Sequence, residues 1–291
     1  MQPTHCGTIV LAGRPNAGKS TLLNALVGAP LAIISPKAQT TRQPVIGVRT
    51  DAAHQMAVTD PPGLLEPGSL LQQGMLEAAI AALAGADAIL YLHPLASAPA
   101  PPLASLLPLG TRPFRGRIQT VYTQADRHGA RAEPAPQDGL IVSAATGQGL
   151  EDLLAWCRAQ LPAGPFAYDP EASSAQPVRF FVAEYVREAA FRHLGDELPY
   201  ALAAEVDEFR EHSQPLYIRI TIFVERSSQQ GMVVGRGGRT IKAIGQDARR
   251  RAETLLGEPV YLDLWVKTLP KWRSDPHALR RFGVPVPPGR S

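Results

Sequence analysis

The chain has 291 residues, 45 % hydrophobic and 19 % charged, which suits two domains with packed cores better than one. Its two cysteines, Cys6 and Cys157, exclude a disulfide scaffold and a cysteine-based metal site, and point to a reducing, cytoplasmic setting. No run of roughly 18 apolar residues and no signal-like N-terminal stretch occurs, so neither a membrane span nor export is expected. The net charge of +3 conceals an asymmetry, with +1 over residues 1–165, −6 over 166–225 and +8 over 226–291. A basic last quarter suggests an anionic partner there, although an ordinary solvated surface also carries such charge.

In chain order, residues 8–12 read as a short buried strand, followed by a glycine-bearing turn and a helical run from Lys19 to Leu26. Residues 45–50 and 55–59 read as strands joined by a turn at 51–54, and 69–83 as a helix. Apolar strands follow at 88–92, 117–122 and 140–142, and a helix at 150–161 closes the region. Residues 94–113, rich in Pro and Ala, predict a short or irregular element, and 127–137 a loop. Strands alternating with helices imply a mostly parallel sheet with helices on both faces. Residues 162–177 hold four prolines and several small residues and read as the interdomain linker. Beyond it, a helix at 178–194, strands at 202–211 and 216–225, a helical turn at 230–235, a basic helix at 239–256 and a strand at 260–267 give the order α-β-β-α-α-β.

Gly13-Arg14-Pro15-Asn16-Ala17-Gly18-Lys19-Ser20 fits the phosphate-loop pattern, between a strand and a helix as the chemistry requires. Its glycines let backbone N–H groups converge on phosphate oxygens, and the helix N-terminus adds positive potential. Lys19 is expected to reach the β and γ phosphates and Ser20 to bind Mg²⁺, with Thr21 beside them in the nucleotide site. Asp60 and Gly63, in Asp60-Pro61-Pro62-Gly63, are expected to hold Mg²⁺ through water and to donate an N–H to the γ phosphate. Alone, that tetrapeptide is an ordinary turn, and the upstream loop gives it meaning. Between the two motifs stand Thr40 and Thr41, either of which can complete the Mg²⁺ shell, with Thr41 preferred. Asp126, after the strand at 117–122, can accept from guanine N1 and N2, which adenine cannot match. The backbone of Ser143-Ala144-Ala145 can meet guanine O6.

With these segments in place, residues 13–24, Ser-Pro-Lys-Ala-Gln-Thr-Thr-Arg at 35–42 and the tetrapeptide at 60–63 resemble the Era GTPase family. Residues 195–200, 233–245 and 262–267 resemble the KH domain of the same family, so the likeness runs over roughly 7–283. The resemblance implies a P-loop NTPase domain (1–165), a linker (166–177), an α+β type II KH domain (178–275) and a basic C-terminal tail (276–291). It further implies a GTP-hydrolysing switch using GTP, GDP and Mg²⁺. This switch binds the 3′ end of 16S ribosomal RNA during assembly of the 30S subunit, with weak peripheral contact to the inner face of the cell membrane. GTP is expected to order 35–43 and 60–66 and so control the RNA module.

The chain departs from the family pattern at two places. Thr123 and Gln124 stand where the family has Asn and Lys, which removes the lysine stem from over the base, and Pro61 replaces a threonine and offers no N–H. These departures motivate an alternative, an RNA-binding assembly chaperone with a weakly active nucleotide site. Leu64 occupies the position after Asp-x-x-Gly, where Ras-like switches place glutamine, and an apolar side chain cannot orient water. The resemblance supplies another route: Asn16 matches an asparagine that helps bind K⁺ in relatives, so hydrolysis is expected to be slow and K⁺-stimulated, unless Asn16 is simply a turn residue.

For RNA, Gly235-Arg236-Gly237-Gly238 is a G-x-x-G loop that lets a nucleic-acid backbone approach closely, flanked by Arg239 and Lys242. Arg249, Arg250 and Arg251 cannot all share one helix face, so at least one points away from RNA. Ile241 and Ile244 are assigned to the core, with an apolar groove edge as the other role. Lys271, Trp272, Arg273, Arg280 and Arg281 make a tail that either touches phosphates or is solvated.

Overall fold

The computed structural model describes residues 3–35, 37, 39–127, 138–195 and 197–286. Two compact units divide at residues 175/176, and each is described by itself.

The first unit is a six-stranded sheet in the order β2-β3-β1-β4-β5-β6. Its strands are β1 (His5–Ala12), β2 (Val45–Thr50), β3 (His54–Asp60), β4 (Ala88–Pro94), β5 (Arg117–Thr123) and β6 (Leu140–Ile141). Among the described strands of this sheet, only the β2–β3 pairing is antiparallel. Strand β1 begins three residues earlier than its apolar run suggests, because His5, Cys6 and Gly7 pair with His54, Gln55 and Met56. The helices are α1 (Lys19–Val27), α2 (Leu70–Ala84) and α3 (Leu150–Arg158). Residues 94–113 hold two single turns of 3₁₀ helix, Leu95–Ser97 and Leu103–Leu106. The loop expected at 127–137 lies, beyond Arg127, outside the described residues, as do Pro36 and Ala38.

The stretch read as a linker belongs to this unit for most of its length. Gln55 is fully buried; its Oε1 accepts from the N–H of Ala167 and Tyr168, and its Nε2 donates to the Tyr168 carbonyl. Val48 N–H donates to the Ser173 carbonyl at 2.8 Å, and Ser174 Oγ donates to the Ile46 carbonyl. The segment therefore satisfies the outer edge of β2, which would otherwise expose unpaired backbone groups.

The second unit follows the expected order. Its helices are α4 (Val178–His193), α5 (Ser227–Val234), α6 (Arg239–Leu256) and α7 (Pro276–Arg281), and its sheet has the order β7-β8-β9. Strands β7 (Ala203–Arg210) and β8 (Leu216–Val224) are antiparallel, and β8 and β9 (Val260–Thr268) parallel. Alternation in β8 sends Ile218, Ile220, Ile222 and Val224 into the core, each fully buried and worth about 1.5–3 kcal/mol. Helix α5 starts earlier than its apolar residues indicate, because the Gln229 side chain caps it, accepting from the N–H of Glu225 and Arg226 at 3.0 Å each.

The tail at 271–281 is neither free nor simply solvated. Trp272 is buried, and its indole N–H donates to the Ala201 carbonyl at 2.9 Å. Arg273 Nε donates to Glu225 at 3.1 Å, and Arg281 Nε to Glu205 at 2.9 Å. Phe282 packs on Trp272 and Phe223. The segment closes part of the sheet face opposite the β8 isoleucines. Among the described residues, no helix is long and apolar enough to cross a membrane.

Candidate nucleotide and RNA sites

The phosphate loop sits between β1 and α1, as its spacing requires. Gly18 caps α1, and no acidic residue occupies the helix's first turn, so no charge within the helix opposes its positive end. Pro15, Asn16, Gly18, Lys19, Ser20 and Thr21 line a cleft of about 390 Å³. Gly13, Arg14 and Ala17 complete the loop; the Arg14 carbonyl accepts from Ala17 N–H and from Lys19 Nζ, the latter at 3.4 Å. Gly63 borders the same cleft and lies so close to Pro15 that a Cβ there would meet the Pro15 nitrogen at 2.7 Å. Leu64 N–H donates to the Gly13 carbonyl at 2.9 Å and seals the two motifs together.

Three oxygens converge at the base of this cleft. Ser20 Oγ donates to Asp60 Oδ2 at 2.6 Å, Thr41 Oγ1 donates to the same atom at 3.3 Å, and the two hydroxyls are 3.3 Å apart. Asp60 is fully buried, and its Oδ1 has no hydrogen-bond partner. A buried carboxylate oxygen left unpaired is costly unless a cation meets it. Burial pushes the Asp60 pKa up, against the pull of Lys19 and the two hydroxyls. Burial likewise lowers the Lys19 pKa, and the Asp60 charge opposes that shift. The site thus holds a desolvated ammonium suited to an anion beside an oxygen cluster suited to a hard cation such as Mg²⁺. Thr41 Oγ1 contacts both Ser20 and Asp60, as preferred from the sequence, and Thr40 beside it is also buried. Leu64 is in the core with Val10, Leu76 and Ile89.

A second, adjoining pocket is lined by Gly18, Thr21, Thr123, Gln124, Asp126 and Ala144, among others. Ser143 Oγ donates to Asp126 Oδ1 at 2.6 Å and so orients the carboxylate. Ser143 N–H is engaged by the Gln148 carbonyl at 3.0 Å, which leaves Ala144 and Ala145, both lining the pocket, as the backbone donors expected for a base oxygen. Thr123 and Gln124, two of the residues that depart from the family pattern, form a tether. Thr123 Oγ1 donates to the Ala17 carbonyl at 2.8 Å, and Gln124 Nε2 donates to the Asn16 carbonyl at 3.0 Å. Both fasten the base pocket to the phosphate loop. Asn16 and Gln124 each hold a positive φ, 63° and 60°. Sequence reasoning missed Ile33, Ile34, Gln39 and Arg127 as lining residues of the cleft. Arg127 had a signal in its place directly after Asp126; the isoleucines had none.

The G-x-x-G loop joins α5 to α6. Arg236, Arg239 and Lys242 are exposed, and among the described residues no ion pair is formed by these three. The other arginines of α6 are engaged. Arg249 pairs with Glu253 and Arg250 with Asp247, and Arg251 is turned inward onto Glu188 and over the Tyr185 ring. Uncompensated positive charge is therefore concentrated at the loop. Ile244 is fully buried in the core, and Ile241 is half-buried.

Gly235 holds φ +74° and ψ 169°, a region open essentially to glycine alone, and a Cβ there would lie 2.2 Å from Thr240 Oγ1. Gly235→Ala is expected to destabilise the second unit by about 1–3 kcal/mol and to weaken RNA binding. Thermal melting and a single-stranded RNA titration check this; unchanged melting and binding would contradict the geometry.

Comparison with known proteins gives the same division. The family described as 50S ribosome-binding GTPase matches residues 8–112, and the KH domain family matches 197–273. The chain is 37 % identical over 303 residues to the GTPase Era of Desulfovibrio desulfuricans, covering 96 % of this chain and 97 % of the relative. It is 36 % identical over 295 residues to the GTPase Era of Afipia carboxidovorans, covering 98 % and 96 %. A crystal structure of an Aquifex aeolicus Era variant bound to GDP·AlF4⁻ superposes with a TM-score of 0.90 at 32 % identity, covering 97 % of this chain and all of that one. Era in complex with MgGDPNP and nucleotides 1506–1542 of 16S ribosomal RNA gives 0.89 at 32 % identity, with the same coverage.

Proposed function

The chain belongs to the family of Era GTPases, and we propose that it binds GTP with Mg²⁺, hydrolyses it slowly, and holds the 3′ end of 16S ribosomal RNA through its KH domain during 30S subunit assembly. The observation that carries the nucleotide half is the convergence of Ser20, Thr41 and Asp60, with the orphaned Asp60 Oδ1, beside the buried ammonium of Lys19.

In this reading backbone N–H groups of the phosphate loop and Lys19 grip the β and γ phosphates. Ser20, Thr41 and Asp60 are the residues that hold Mg²⁺, which neutralises phosphate charge when bound. Gly63 donates its N–H to the γ phosphate. Asp126, aligned by Ser143, accepts from guanine N1 and N2, and the amide of Ala144 or Ala145 meets O6. Thr123 and Gln124 keep the base pocket fastened to the phosphate loop, which weighs against a degenerate site.

Because Leu64 is buried in the core, water orientation falls elsewhere. Asn16 borders the phosphate cleft and supports a K⁺ ion there. Turnover is expected to be several-fold faster in KCl than in NaCl, or roughly 1 kcal/mol off the barrier; equal rates would remove K⁺ from the account.

At the RNA site, Gly237 and Gly238 admit the sugar–phosphate backbone, and Arg236, Arg239 and Lys242 neutralise phosphates. Crosslinking to cellular RNA, with and without a non-hydrolysable GTP analogue, tests the whole reading. Enrichment of the small-subunit RNA 3′ end, altered by the analogue, is expected; recovery of unrelated RNAs insensitive to nucleotide would overturn it.

A further inference from the structure

Position 124 in the base-binding segment carries no charge, yet a cation stands over the site three residues on. Arg127 ends the single helical turn Ala125–Arg127, and its N–H donates to the Gln124 carbonyl at 3.0 Å. The turn brings the side chain back over Gln124, so that Nη1 donates to Gln124 Oε1 at 3.4 Å. The other end of the same amide donates to the Asn16 carbonyl at 3.0 Å. Gln124 is therefore held from both ends, and through it Arg127 is anchored to the phosphate loop. The neighbouring acid, Asp126, is engaged by Ser143.

Arg127 lines both the phosphate cleft and the base pocket, a property it shares with Gly18, Thr21 and Gln124. Its side chain is exposed. Among the described residues, no aromatic ring lines the base pocket. A purine held there by its edge against Asp126 has a broad face that the small lining residues leave uncovered. A guanidinium is planar, weakly hydrated and attracted to π-faces, which suits it to that place. The phosphate cleft already holds the Lys19 ammonium and the positive end of α1.

We infer that Arg127 is a nucleotide-binding residue whose guanidinium lies against the outer face of the bound purine, positioned by Gln124. This rests on the reading of the site as one for guanine nucleotides. The test is titration of the full chain with a fluorescent GDP at low and high NaCl, using wild type, R127A and R127K, with thermal melting to confirm folding. Wild type must first bind GDP; if it does not, the guanine-nucleotide reading itself falls, and this inference with it. Given that binding, R127A is expected to be about tenfold weaker at both salt concentrations, and R127K to recover only part of the loss. Unchanged affinity in R127A overturns the inference. So does a loss that disappears at high salt, which marks a phosphate contact, or full recovery in R127K, which marks a point charge.

Discussion

Replacing Lys19 with alanine is expected to weaken GTP and GDP binding by at least about a hundredfold, the loss of a charge-assisted contact in a dry site. Folding has already removed this ammonium from water: the residue is 7 % exposed, and its hydrogen bond to the Arg14 carbonyl, at 3.4 Å, is long. Burial lowers its pKa, and the Asp60 charge raises it again. A phosphate then arrives at a cation with few other partners, so the desolvation cost is not charged a second time on binding. The substitution also strips Asp60 of its opposing charge. Asp60, whose pKa burial already raises, then takes up a proton at higher pH still, and the oxygen cluster loses its hold on Mg²⁺. Calorimetric titration with MgGTP checks this; wild-type affinity in K19A would contradict it.

Asp126→Ala is expected to weaken GTP by roughly a hundredfold and to leave ATP unchanged, collapsing the preference between them. A site built around a hydrogen-bond acceptor discriminates because the wrong base leaves that acceptor unpaired. Asp126 is fixed by Ser143 Oγ at 2.6 Å, so the carboxylate is oriented before the base arrives. Competition of GTP and ATP against one labelled nucleotide measures the change. A variant that still selects GTP would move base recognition to the backbone of residues 143–145.

The phosphate loop, the succession of strands and helices around it and the KH element order were legible because each rests on local spacing. A loop between strand and helix fixes where its amides point, and alternation in β8 fixes which side faces the core. What stayed hidden depended on partners remote in sequence. Arg281 and Glu205 are 76 residues apart, Arg273 and Glu225 are 48, and Arg251 and Glu188 are 63. Composition counted those arginines as free positive charge, and the fold spends them internally. The linker misled for a related reason: prolines and small residues mark a chain that is neither helix nor strand, but do not reveal that Gln55 and the β2 edge hold it. Thr123 and Gln124 looked like losses against the family pattern. A hydroxyl and an amide can nonetheless reach the Ala17 and Asn16 carbonyls, which only the folded geometry reveals.

The proposed function depends on a grip on guanosine triphosphate by the phosphate-loop N–H groups, Lys19 and the Ser20–Thr41–Asp60 oxygens. Equilibrium titration of the purified chain with GTP and with ATP, each with and without Mg²⁺, tests that grip most directly. Tight binding of GTP that weakens when Mg²⁺ is removed, beside negligible binding of ATP, is the expected result. A protein that takes up neither nucleotide at millimolar concentration, or takes up both equally, would contradict it.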